Sequence, residues 1–199
     1  MIRTLVATMA ILLATVSLAF AQAPTRVRGV IEKVNNDVLT IKAPGAGPVA
    51  VKLADNHMIL AVAPAALADI KPGVYLSAAS LAESGGRLKA RGVLVYPDVA
   101  RGINEGHYPY DLGPGSTVTY ATVNTRVDGA EGATITLKYR GGQVEVAVPS
   151  GTPVMTFDLG DAALLKPGAP VFIPGQRQAD GTIGASRVFV GKDGAVPPM

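Results

Sequence analysis

The sequence predicts an all-β protein made of two tandem five-stranded barrels, and two observations lead there. The first is a repeat. Residues 70–73 read IKPG and residues 165–168 read LKPG, an offset of 95 that recurs on both sides of the motif. GPVAVKL (47–53) falls on GQVEVAV (142–148), and GGRLKARGVLVY (85–96) falls on DGTIGASRVFVG (180–191). Gly86 meets Gly181, Ala90 meets Ala185, Val93 meets Val188 and Val95 meets Val190, so the offset reads as a tandem duplication. The second is period-two apolar alternation in short runs bounded by Gly, Pro, Asn and Asp, the pattern of half-buried strands.

In the first copy the alternation predicts strands over Val27 to Val34, Val38 to Lys42, Val49 to Leu53, Val74 to Ala79 and Leu88 to Val95. Asn35-Asn36-Asp37 and the stretch Pro44 to Gly47 supply the turns between the first three. PAALAD (64–69) predicts a short helical turn, with Pro64 where a first helical turn accepts proline and Lys71-Pro72-Gly73 as its stop. In the second copy Asp161 is the matching N-cap, ahead of Ala162 to Leu165.

Five strands with a helical turn between strands 3 and 4 match an OB-like barrel, so the chain reads as two tandem five-stranded OB-like barrels; a small antiparallel sandwich is the alternative. The divisions are a signal at 1–21, repeat 1 at 25–96, a connector at 97–116, repeat 2 at 117–192 and a tail at 193–199. One copy alone buries only about 60% of its unfolded surface, so the two barrels are expected to pack together.

The run LKPGAPVFIPGQRQADGT followed by IGASRVFV, after a strand pair and an apolar helical turn, resembles an exported bacterial OB-like domain family of unknown function. The second copy carries the resemblance across residues 120–192, and the first is looser, with Ser80 to Gly86 in place of the compact Gly175 to Gly181 segment. The resemblance implies no activity and no catalytic residues.

Targeting is expected from the start of the chain. Arg3 precedes a long apolar run ending in Ala19-Phe20-Ala21, the layout of a secretory signal cut near Ala21, with an uncleaved anchor as the alternative. No later run approaches membrane-spanning length, and the location is read as periplasmic. With no cysteine there is no disulfide and no thiolate metal site. Arg3 is the one charged residue among residues 1–21, so cleavage lowers the formal net charge from +3 to +2, too small a surplus to name a partner.

Residues common to both copies are explained by the barrel, so the segment present once, GHYPYDLGPGS (106–116), needs another reason. Its connector is far longer than the usual 4 to 6 residues of compact domains. Three readings stay open: Tyr108 and Tyr110 pack into a crease between barrels; His107, Tyr108, Tyr110 and Asp111 edge a ligand- or partner-binding cleft; or the segment is a linker.

Other chemistry is poorly supplied. His57 and His107 are the only imidazoles, neither lies in a nucleophile motif, and His57 aligns with Thr152 as a surface loop residue. His57-Met58, Met155 and Met199 are thin material for a copper site. The glycine pairs fall at hairpins rather than before a phosphate-cradling helix, and the strands LTIK and VAVKL lack the aromatic platforms of a nucleic-acid binder. The reading is a periplasmic, non-enzymatic binding or scaffolding protein of the cell envelope, without cofactor, facing an envelope protein or glycan. A small-ligand or copper carrier and an uncharacterised hydrolase are the alternatives.

Overall fold

Alternating side chains commit one face of each strand to the interior, and that face organises the structure. The computed structural model describes residues 24–198; the expected signal at 1–21 and Met199 lie outside them. The chain is all-β, with twelve strands and three short 3₁₀ turns among the described residues. β1 (Thr25–Asn35), β2 (Val38–Lys42) and β3 (Pro48–Pro64) form an antiparallel meander. Asn36 makes the first turn in a left-handed conformation, φ 50°, which asparagine tolerates. In β1, Val27 and Ile31 are buried, which leaves Arg26 and Arg28 on the opposite face.

β3 is the first departure from expectation. Instead of stopping at Leu53 it continues to Pro64, with a register shift against its neighbour where Asp55 and Asn56 interrupt the alternation. His57 therefore sits in a strand rather than a surface loop, whereas its counterpart Thr152 does lie in a turn. A 3₁₀ turn follows at Leu67–Asp69, and the Asp69 carboxylate accepts the Ala66 N–H at 2.8 Å. β4 (Tyr75–Ala82) and β5 (Leu88–Val95) make a hairpin.

The connector holds a 3₁₀ turn at Asp98–Ala100 and a short strand, β6 (Gly106–Pro109). Then come β7 (Ser116–Gly129), β8 (Gly132–Tyr139), β9 (Gly142–Pro149) and β10 (Val154–Leu159). The 3₁₀ turn at Ala162–Leu164 has Asp161 as N-cap, its carboxylate accepting the Ala163 N–H at 2.9 Å. β11 (Pro170–Arg177) and β12 (Ile183–Gly191) end the fold. Gly73 and Gly168 both stand at φ 88°, a conformation in which a side chain would be strained.

Closure is the second departure. β1 pairs with β11, β11 with β12, and β12 runs parallel to β3, so β1-β2-β3-β12-β11 is a closed five-strand barrel. The expected barrel drew all five strands from one repeat, but this one takes its last two from residues 170–191. The other seven strands extend the sheet. β4 pairs with β5 and β7, β7 with β6 and β8, and β8 with β9. β9 meets β5 in parallel over two residue pairs, and β10 lies between β3 and β5.

The barrel interior is filled by residues such as Leu39, Ile41, Val51, Ile173 and Val188, all fully buried. A second apolar cluster, including Leu76, Val93, Ile135, Leu137 and Val146, fills the space under β4, β5, β7, β8 and β9. Between them lies a seam rich in rings: Tyr75, Tyr96, Tyr110, Phe157, Phe172 and Phe189. No helix among the described residues is long and apolar enough to cross a membrane.

Candidate functional site

The seam is built from outward-facing residues of several strands. Ring centroids step from Tyr75 to Tyr96 (5.5 Å), Phe157 (5.0 Å) and Phe189 (5.6 Å), each contact nearly perpendicular, and then to Phe172 (5.7 Å). Edge-to-face packing sets positive ring edges against negative faces and contributes beyond area burial.

The connector is tied down along its length. The Tyr75 hydroxyl donates to the Ile103 carbonyl at 2.8 Å, and Arg101 donates to the Gly73 carbonyl at 2.9 Å. β6 then pairs with β7. The loop after it is closed by Ser116, whose hydroxyl lies 2.7 Å from the Tyr110 and Gly113 carbonyls and accepts the Leu112 N–H at 3.1 Å.

Tyr110, only 9% exposed, is inserted against β1, with the Arg26 guanidinium 4.4 Å and that of Arg28 5.4 Å from its ring centroid. Asp111 beside it takes two hydrogen bonds from Arg28, both 2.8 Å, in a bidentate fork. Burial alone would push the Asp111 carboxyl up, but the hydrogen bonds and charge of Arg28, with the charge of Arg26, outweigh it and hold the group below its ordinary value. Burial pushes the Tyr110 phenol up to about 12 against the opposing charges of Arg28 and Arg26.

The four residues singled out in the sequence do not line one cleft. Tyr110 and Asp111 are spent on the contact with β1. Tyr108 is 44% exposed, its hydroxyl donating to the Glu105 carbonyl at 2.9 Å and its ring 6.4 Å from that of Tyr120. His107, its neighbour in β6, goes to the other face of the sheet. Its ring lies nearly parallel to Tyr139 at 6.0 Å, and Nδ1 is 2.8 Å from the Thr119 hydroxyl.

That His-Thr distance suits a base and a nucleophile, but Thr119 is fully buried and no substrate carbonyl can reach its hydroxyl. His57 Nδ1 is 2.8 Å from the Ala54 carbonyl oxygen. Met155 packs against the seam opposite Pro64, whereas Met58 is exposed six residues back along β3. At about 3.3 Å per residue that is roughly 20 Å, so the two thioethers do not share a metal.

Sequence reasoning missed Arg26, Arg28, Tyr120 and the phenylalanines of the seam. The signal was present in Arg-Val-Arg at 26–28, an alternation that sends two guanidiniums to the face opposite a buried valine. Comparison with protein-family models, curated proteins and solved structures finds no match to this chain.

Proposed function

We propose that the chain is a duplicated pair of OB-like barrels whose fourth and fifth strands are exchanged between the copies, and that it serves as an exported, non-enzymatic binding or scaffolding protein of the bacterial envelope. The reciprocity of the contacts supports the first part. Val62 pairs with Phe157, 95 residues on, and the flanking pairs Leu60 with Leu159 and Pro64 with Met155 exchange places under the same offset, as a two-fold axis requires. The Gly168 N–H donates to the Ile31 carbonyl while the Gly73 N–H donates to the Val123 carbonyl, so the turn in each half docks on the first strand of the other. The likeness to the exported OB-like family belongs to the same reading.

For function, one observation carries the proposal. The polar groups of the unique segment are spent on bracing and on a surface of arginine and tyrosine, and its single imidazole faces a hydroxyl sealed from solvent. Such an arrangement recognises a partner rather than activating a nucleophile. The test is photo-crosslinking in cells from a photoreactive residue replacing Tyr108. One discrete envelope component captured from that position is the expected result. Ester or glycoside hydrolysis by the purified chain that disappears in His107→Ala would refute the non-enzymatic reading.

A further inference from the structure

Arg26 and Arg187 fall on one outer face of the barrel. Arg26 pairs with Pro174 across β1 and β11, while Phe172 pairs with Phe189 across β11 and β12, with Arg28 opposite Phe172 in turn. Two residues along β1 from Arg28, Arg26 stands opposite Pro174; two residues along β12 from Phe189, across the fully buried Val188, Arg187 takes the same outer face as Phe189, at the point where the β11–β12 register shifts. β1 and β12 flank β11 on either side, each about 4.8 Å from it, so the two long side chains rise from strands only two spacings apart.

Both are under-used. The Arg26 side chain is only 19% exposed, yet its nearest carboxylate oxygen, from Asp111, is 4.0 Å away and that carboxylate already forks onto Arg28. Among the described residues neither the Arg26 nor the Arg187 side chain makes a hydrogen bond. Arg26 and Arg28 thus share the single carboxylate of Asp111, and among the described residues Arg187 makes no ion pair, so this side of the seam carries two positive charges without a carboxylate of their own. Burial raises the Tyr120 phenol above its ordinary value, and the charges of Arg26 and Arg187 both reach it in the opposite sense, which brings all three to one place. Tyr108, half-exposed, has its ring against that of Tyr120.

We propose that Arg26 and Arg187, on the strands flanking β11 and both beside Tyr120, form a binding site for a phosphate group. Guanidinium forks match the oxygen geometry of phosphate, and a phosphate monoester, carrying about −1.5 to −2 charge, neutralises the surplus where a carboxylate would leave one charge over. The exposed Tyr108 face is placed to cover the group that bears the phosphate. The inference deepens the binding reading above and rests on it, but crosslinking from Tyr108 can succeed whether or not phosphate binds, so the two can fail separately.

The test is calorimetric titration of the mature full-length chain with inorganic phosphate, glucose 1-phosphate, glucose and acetate at fixed ionic strength. Phosphate and glucose 1-phosphate should bind, and Arg26→Gln and Arg187→Gln should each weaken both by roughly tenfold or more. The exposed control Lys71→Gln should change nothing. Tighter binding of glucose 1-phosphate than of phosphate identifies a phosphorylated glycan, and equal binding identifies free phosphate. No phosphate binding, binding untouched by both arginine variants in chains that melt normally, or acetate or glucose binding as well as phosphate would overturn the proposal.

Discussion

Tyr110→Ala removes the ring that carries the connector onto β1. A buried tyrosine withdraws roughly 150 to 250 Å² from water, and large-to-small aromatic changes in a core cost about 3 to 5 kcal/mol. Loss of the ring also strips Arg26 and Arg28 of their aromatic contacts, each worth about 0.5 to 1 kcal/mol at partly exposed sites. In the other direction, the Tyr110 hydroxyl is buried beside Arg28 without a well-formed hydrogen bond, so removing it returns about 1 kcal/mol. The net expectation is about 4 kcal/mol. For a chain of this size 1 kcal/mol shifts Tm by roughly 2 to 4 °C, so a fall of about 8 to 16 °C should appear by differential scanning calorimetry. Tyr110→Phe, which keeps the ring and removes only the ill-satisfied hydroxyl, should match or slightly exceed the native Tm. A Tyr110→Ala chain melting within about 2 °C of the native one would refute the reasoning and make the connector a linker.

Two further outcomes follow from the same contacts. Burial, helped by the Glu105 charge, pushes Tyr75 up to about 12; burial does the same to Tyr110 and also raises Tyr96 and Tyr120. Raised tyrosine values mean stability that is intact below the unfolded value of about 10 and is lost as pH climbs toward 12, so tyrosinate absorbance should rise together with loss of near-ultraviolet circular dichroism; these four phenols ionising while the fold persists would contradict the buried seam. In β1, a Cβ on Gly29 would run into the Lys42 carbonyl and sit 3.0 Å from Ile41, so Gly29→Ala should lower the denaturant midpoint by an overpacking cost of about 1 to 3 kcal/mol, while Gly47→Ala, with nothing nearby, should leave it unchanged.

Much of the strand map was legible because a half-buried strand writes its inward face every second residue. β2 and β5 begin and end where the alternation does, and the Asp161 cap was readable from its side chain. β3 was read short because Asp55 and Asn56 look like turn residues, and only its pairing with β10 and β12 reveals that the strand continues through the irregularity. That the barrel takes β11 and β12 rather than β4 and β5 was not legible at all. Period-two patterning says which face of a strand is inward but not which neighbour it takes, and β4-β5 and β11-β12 have near-equivalent patterns that fit either set of partners. The connector was half-legible: its tyrosines and prolines announced an ordered segment, but the partners of Tyr110 and Asp111 lie in β1, about eighty residues earlier, and nothing local to the segment names them.

The barrel closes with strands from both halves of one chain, and the absence of native cysteine makes a clean test available. Val30 and Pro170 are register partners across β1 and β11, and paired strand positions lie within the roughly 4.4 to 6.8 Å Cα range that a disulfide spans. In the double variant Val30→Cys, Pro170→Cys, oxidation should give an intramolecular disulfide in a monomeric chain, found by peptide mapping under non-reducing conditions. A variant that folds but stays reduced, or that links only between chains, would contradict the account.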